Sequence, residues 1–171
     1  MSEQIDAAKR SRRAELRTLQ SGLDPTGERT VRLWSHVRDL PAVRAARVVM
    51  AFDAVAGEPD TTAFLAWCRS VGKTVVLPAP DSDAPYPVAA DVPDVIVVPG
   101  LGFTAEGDRL GRGGGWYDRF LADRRSDGVA IGVCFAEQVV DELPVEDHDA
   151  PLDLVVTDEG PTTRREKFPD R

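Results

Sequence analysis

The sequence predicts an α/β fold, a single-domain three-layer α/β/α sandwich over residues 1–171 with a mostly parallel, Rossmann-like sheet. Three observations carry this. Short apolar runs alternate along the chain with segments of helical periodicity. The runs are nearly unbroken, as in Asp94-Val-Ile-Val-Val-Pro99 and Val129-Ala-Ile-Gly-Val-Cys-Phe135, which suits strands covered on both faces. Finally, 171 residues that are 42% hydrophobic and 29% charged can bury one full core, and neither a repeat nor a linker divides them.

The elements follow in order. Residues 5–20 are expected to be helical, with Ile5, Ala8, Leu16 and Leu19 on the apolar face and Lys9, Arg10, Arg12, Arg13 and Arg17 crowding the rest. Asp24 as N-cap and Pro25 at the first helical position open a second helix, whose Val31, Trp34, Val37 and Leu40 are core candidates. His36 has no partner at metal-ligand spacing. Pro41 ends that helix, and a turn over 42–46 leads to a first strand, Arg47–Asp53. A helix over Thr61–Val71, burying Phe64, Leu65 and Trp67, stops at Gly72. Thr74–Pro78 is the second strand. The proline- and aspartate-rich segment 79–93 is a loop. Strands over 94–98, 129–135 and 153–157 complete the sheet, with a helix from Trp116 to Arg124, a short helix over 136–143 and a loop over 144–151. The polar tail from 160 to 171 is expected to fray.

Composition excludes several classes. No apolar run approaches the roughly 18 residues of a membrane span, and the N-terminus lacks the apolar stretch of a secretory signal. Cys68 and Cys134 stand far apart in apolar surroundings, so neither a disulfide framework nor a zinc site is expected, and a reduced, cytoplasmic protein is. Residues 1–48 carry ten Lys and Arg against six Asp and Glu, the remainder eleven against twenty-three. That acidic body argues against nucleic-acid binding. Nothing points to a membrane or a protein partner, and a monomer is expected.

The chemistry concentrates between Pro99 and Asp118, where seven of the fourteen glycines fall. Glycine density is a poor way to pack a core but suits backbone N–H groups that must approach a ligand. Strand, glycine-rich loop and helix N-terminus together suit a phosphate. The loop has neither the ending of a P-loop nor dinucleotide-binding glycine spacing. Arg109 and Arg112 add two fixed cations. Asp118, in the first turn of the next helix, is either a helix N-terminal charge or a ligand of Mg²⁺ held together with phosphates. The acidic loop Glu146-Asp147-His148-Asp149 is either a solvated turn or the source of a second carboxylate. Lys9 and Arg13, four apart, either face solvent or converge on one anion. Glu58, at the C-terminal end of the first strand, is either a helix-terminal charge or a ligand contact.

The run Asp94-Val-Ile-Val-Val-Pro-Gly-Leu-Gly-Phe103, followed by Gly107-Asp-Arg-Leu-Gly-Arg-Gly-Gly-Gly-Trp-Tyr-Asp-Arg-Phe-Leu121, resembles the signature of 5-formyltetrahydrofolate cyclo-ligases. Weaker segments occur in the expected order: Lys9-x-x-x-Arg13, Gly57-Glu58-x-x-Thr61, Gly72 to Pro78, and Asp141 to Asp153. The resemblance implies a three-layer α/β sandwich. It also implies ATP contacts at Lys9 and Arg13, and a nucleotide loop comprising Arg109, Leu110, Gly111, Arg112, Gly113, Gly114, Gly115, Trp116 and Tyr117. Part of that loop, Arg112 to Trp116, is implied to touch the reduced folate as well, together with Glu58. Asp118 and Asp149 match the magnesium-associated aspartates.

The implied reaction is ATP-dependent closure of 5-formyltetrahydrofolate to 5,10-methenyltetrahydrofolate, with Mg²⁺ as the metal and Arg109 and Arg112 as the catalytic cations. In-line phosphoryl transfer asks for positioning and charge neutralisation rather than a protein nucleophile. The sequence departs from the family in two places. The segment between the second and third strands is short and lacks a glycine-rich stretch and a Glu-Pro pair that help build the folate pocket. Trp116 stands where tyrosine is common, keeping a stacking face and losing a hydroxyl. A paralogue acting on another small substrate and a catalytically silent nucleotide-binding protein are the alternatives.

Overall fold

In a computed structural model, described over residues 2–78 and 86–162, the parallel strands β1 (Val48–Met50), β2 (Thr74–Val76), β3 (Val95–Val98), β6 (Val129–Val133) and β7 (Leu154–Thr157) form one sheet in the order β2-β1-β3-β6-β7. Register is continuous across the centre, with Val49 opposite Val75 and Val95, and Ile96 opposite Ala130. This is a doubly wound order whose direction reverses between β1 and β3. The expected α/β sandwich is the observed fold.

Strand alternation distributes the core between the two faces. Val49, Val95, Val97 and Ile131 point to one side, against α2 (Glu28–Asp39), α3 (Pro41–Ala45) and α4 (Thr62–Ser70). Met50, Ile96, Val98 and Ala130 point to the other, against α5 (Trp116–Ala122). There α1 (Ser2–Ser21) rests on a small antiparallel hairpin of β4 (Gly102–Phe103) and β5 (Arg109–Leu110), through Leu16, Leu101, Leu110 and Leu143. Both cysteines are free and buried, and burial pushes the Cys68 thiol up to about 11.

Several elements differ from expectation for identifiable reasons. The second helix starts at Glu28, because the Asp24 carboxylate accepts hydrogen bonds from the backbone N–H and hydroxyl of Thr26 and so closes a local turn instead of capping a helix. The buried stripe of α2 is Thr30, Leu33, Trp34 and Val37, which leaves Val31 exposed. The stripe of α1 is Lys9, Leu16 and Gln20, with Ala8 exposed and Ile5 and Leu19 half-buried. Pro41 ends α2 but also begins the five-residue α3. Strands are shorter than their apolar runs, and the segment after β6 forms only one turn of 3₁₀ helix, Ala136–Gln138. Of the loop assigned to 79–93, residues 86–93 carry no helix or strand and 79–85 lie outside the described residues. Gly160–Pro161, placed in the fraying tail, pairs antiparallel with β7 as β8; residues 163–171 lie outside the description.

The glycine-rich stretch is the main correction. It folds as the β4–β5 hairpin followed by a loop, and not all its glycines serve a ligand. Gly107 (φ +103°) sits where a Cβ would strike the Leu152 carbonyl, and Gly102 lies against Leu16. Packing therefore explains part of a glycine density first read as wholly ligand-directed.

Candidate active site

The crevice where the strand order reverses opens at the C-terminal edge of the sheet, where doubly wound folds bind ligands. A cavity of about 1030 Å³ lies there, floored by Phe52 and Asp53 after β1, Leu77 and Pro78 after β2, and Pro99 and Gly100 after β3. Lys9 and Arg13 of α1 close one side. The loop 111–115, the start of α5 and the segment 146–149 complete the wall. The residues that the family resemblance implies are on this lining, namely Lys9, Arg13, Glu58, Arg109 through Asp118, and Asp149, while Asp147 of the acidic loop is not.

The cations are already paired. Lys9 Nζ lies 2.6 Å from Asp149 Oδ2 and 2.8 Å from Glu146 Oε2, with its side chain only 7% exposed. Burial opposes its charge, but the two carboxylates outweigh burial and hold its pKa above the usual lysine value. Burial likewise opposes ionisation of Asp149, and hydrogen bonds from Lys9 and the Glu146 N–H overcome it, leaving the pKa low. The solvated-face reading of Lys9 is therefore excluded. Arg109 Nη2 lies 3.2 Å from Asp118 Oδ2, and its guanidinium stands over the Tyr117 ring at 5.5 Å. Arg112 Nε lies 3.3 Å from Glu58 Oε1. Burial raises the Glu58 pKa, with the Val55 N–H and Arg112 opposing.

The loop is shaped by backbone that only glycine adopts easily: Gly113 (φ +115°) and Gly115 (φ +65°), the latter preceding α5. Arg13 Nε donates to the Gly111 carbonyl at 3.0 Å, tying the loop to α1. Trp116 commits one face to Phe120, 5.1 Å away and 8° from parallel. Three polar atoms in this wall, Arg109 Nε, Trp116 Nε1 and the Tyr117 hydroxyl, are buried without a hydrogen-bond partner among the described residues. Burial raises the Tyr117 pKa, so the hydroxyl stays protonated as a donor. Buried donors without partners are costly, and a ligand that accepts from them relieves the cost.

The carboxylates suit a hard cation. The Ala150 N–H donates to Asp118 Oδ1 at 3.3 Å, which brings Asp118 beside the segment carrying Asp149. Among the described residues no group of three or more His, Cys, Asp or Glu could hold a metal by itself. Two carboxylates completed by phosphate oxygens fit Mg²⁺, which seldom takes an all-protein cage.

Comparison with known proteins bears on this architecture. The model of the 5-formyltetrahydrofolate cyclo-ligase family matches residues 86–158. A 5-formyltetrahydrofolate cyclo-ligase of Mycolicibacterium smegmatis is 32% identical over 142 residues, covering 65% of this chain and 73% of the relative. The chain belongs to the 5-formyltetrahydrofolate cyclo-ligase family. The Escherichia coli cyclo-ligase is 43% identical over 65 residues, covering 37% of this chain. Against that protein and the mouse cyclo-ligase the match spans about a third of the relative's length, 36% in each case. The solved structure of Aquifex aeolicus 5,10-methenyltetrahydrofolate synthetase superposes with a TM-score of 0.79 at 25% identity, over 95% of this chain and 96% of that one. A Mycoplasma pneumoniae 5,10-methenyltetrahydrofolate synthetase shares the fold, with a TM-score of 0.72.

The family match thus covers the loop 111–115, the start of α5 and the segment 146–149 that wall the cavity. Sequence reading missed the pairing of Lys9, Arg109 and Arg112 with carboxylates, which depends on long-range approach. It also missed Gln138, fully buried, whose amide donates to the Leu101 carbonyl at 3.0 Å and anchors the hairpin behind the loop. A lone Gln after an apolar strand carries no signal of such a role.

Proposed function

We propose that this chain catalyses the ATP- and Mg²⁺-dependent closure of 5-formyltetrahydrofolate to 5,10-methenyltetrahydrofolate, releasing ADP and phosphate. The observation that carries the reading is the convergence of Lys9, Arg13, Arg109, Arg112 and the glycine loop on one cavity large enough for two ligands. The γ-phosphoryl group moves from ATP to the formyl oxygen, releasing ADP and converting a poor leaving group into a phosphate ester. N10 attacks the activated carbon and loses its proton, and the carbon–oxygen bond breaks to release phosphate.

The protein's part is to align the reactants and neutralise phosphate charge. In this reading Arg109 and Arg112 face the transferring phosphoryl group and act as the catalytic cations. Lys9, Arg13 and the backbone from Leu110 to Tyr117 hold the nucleotide. Glu58 and the side of the loop running from Arg112 to Trp116 hold the folate. Asp118 and Asp149 would hold Mg²⁺, which supplies charge neutralisation on the phosphates. The two buried, unpaired thiols suit a reducing compartment, and we place the protein in the cytoplasm as a monomer with small-molecule partners.

The test mixes purified protein with ATP, Mg²⁺ and 5-formyltetrahydrofolate and follows the ultraviolet absorbance of the methenyl product. Product that requires both ATP and Mg²⁺ supports the reading. ATP binding without product points instead to a different substrate, and absence of binding to both ligands overturns it.

A further inference from the structure

The N-terminal helix holds the phosphate loop through three side chains on one side of α1. Arg13 donates to the Gly111 carbonyl at 3.0 Å and Arg17 to the Arg112 carbonyl at 3.2 Å, while Gln20 Oε1 accepts from Arg112 Nη2 at 3.2 Å. Gln20 is the least expected of the three. It is 3% exposed, does not line the cavity, and its own Nε2 has no hydrogen-bond partner among the described residues. A helix-face glutamine is ordinarily solvated. Burying one with half its amide unsatisfied is unfavourable unless the other half does something.

Its surroundings say what that is. A Cβ added to Gly57 (φ +86°) would lie 2.8 Å from Gln20 Cγ, so the side chain threads beneath the turn that carries Glu58. Arg112, by contrast, has a 42% exposed side chain and a long, flexible stem. Its guanidinium reaches three acceptors at modest distances: Gln20 Oε1 at 3.2 Å, Glu58 Oε1 at 3.3 Å and the Ala56 carbonyl at 3.4 Å. Of these, Glu58 is on the cavity lining and Gln20 is not, so a ligand in the cavity would meet Glu58 first.

We propose that Gln20 is a positioning residue, its buried carbonyl oxygen holding the Arg112 guanidinium at the cavity before any ligand arrives. The positioning is a property of the free protein. Its kinetic consequence rests on the function proposed above.

The test uses the full chain with Gln20→Met, which keeps the length and the contact with Gly57 but has no oxygen, and Gln20→Glu, which keeps an acceptor oxygen at the same reach whether protonated or not. The arginine Nε–H signals are followed by nuclear magnetic resonance without ligand, with Arg112→Lys assigning the Arg112 signal. Rigid Arg112 in the native protein and in Gln20→Glu, mobile Arg112 in Gln20→Met, and unchanged Arg109 in all three are expected. An equally rigid Arg112 in Gln20→Met, or equal loosening of Arg109, overturns the proposal. In turnover, Gln20→Met should lose about tenfold in kcat/KM for ATP, the scale of one hydrogen bond to a charged group, and Gln20→Glu should recover it. Gln20→Met should cost nothing further in an Arg112→Ala background, and a full additional loss there refutes action through Arg112. If the native protein makes no methenyl product, the proposed reaction fails while the resonance experiment still decides the role of Gln20.

Discussion

Replacing Lys9 with methionine tests the ion triad that joins α1 to the 146–149 segment. The variant keeps most of the aliphatic stem and removes the charge, leaving Asp149 and Glu146, 16% and 20% exposed, facing a site without its cation. Breaking a fully buried pair costs about 3–5 kcal/mol. Water reaches both carboxylates here, so about 2 kcal/mol is expected, or a fall of about 4–8 °C in Tm for a chain of this size. The pH dependence separates charge from packing. Asp149, with its pKa lowered in the folded protein, stabilises above its unfolded value near 3.9, and that contribution is lost as pH falls through the folded value. Lys9, with its pKa raised, stabilises below its ordinary value of 10.5 and loses its contribution as pH rises through the folded value. The deficit of Lys9→Met, read by circular dichroism melts, should therefore be greatest between about pH 5 and 10 and shrink toward pH 3. An equal deficit at pH 7 and pH 3 would refute the electrostatic account and leave stem packing as the cause. Adding Glu146→Gln to Lys9→Met should recover part of the loss at pH 7.

Three further substitutions probe separate parts of the architecture. Gly107→Ala places a Cβ against the Leu152 carbonyl at positive φ and should destabilise by about 2–4 kcal/mol, read as a lower urea midpoint, while nucleotide affinity of the folded fraction is unchanged. Asp118→Asn should abolish Mg²⁺-dependent turnover, measured as rate against Mg²⁺ concentration; near-native rates would remove Asp118 from the metal. Glu58→Gln should raise the folate KM with ATP binding nearly intact. Since burial raises the Glu58 pKa, the charged form costs stability as pH rises through the window between its unfolded and folded values. The melting temperature at pH 7 should accordingly hold or rise, and a clear fall would contradict that sign.

The parts of this structure legible in the sequence are those governed by local pattern. Unbroken apolar runs such as Val95–Val98 announce strands covered on both faces, and the order of elements implies a doubly wound sheet. Glu58, the glycine loop and the 146–149 segment were placed at the ligand edge by the convergence of strand C-termini, whereas the choice of Lys9, Arg13, Asp118 and Asp149 from their alternatives came only with the family resemblance. What was hidden depended on competition or distance. Asp24 has two partners on Thr26, and whether it caps a helix or closes a turn is settled by the next few residues rather than by its identity. Val31 fits the periodicity of α2 as well as Thr30 does, and only the direction in which the helix docks decides between them. Gly102 and Gly107 were indistinguishable from loop glycines until Leu16 and Leu152 arrived beside them. In helix α1 the spacing singled out Lys9 and Arg13 but left a solvated face open for them, and it was tertiary contact that buried Lys9 while leaving Arg10 exposed.

The paired state of the cavity constrains how an anion could enter it. Lys9, Arg109 and Arg112 each lean on a carboxylate, in a chain of net charge −8. Unpaired, the buried Lys9 and Arg109 would each cost the fold on the order of several kcal/mol, and the half-exposed Arg112 less. Pairing removes that cost but also removes the bare positive surface that would steer an anion from afar. A phosphate that takes over Lys9 and Arg109 strands Asp149 and Asp118 without counter-charge. A divalent cation arriving with the phosphates meets that need, since the released carboxylates are then available as its ligands. Metal and polyphosphate should on this account reinforce each other's binding. Asp118→Asn should weaken the reinforcement more than it weakens binding of the metal-free nucleotide, because the asparagine neither strands a charge nor supplies one.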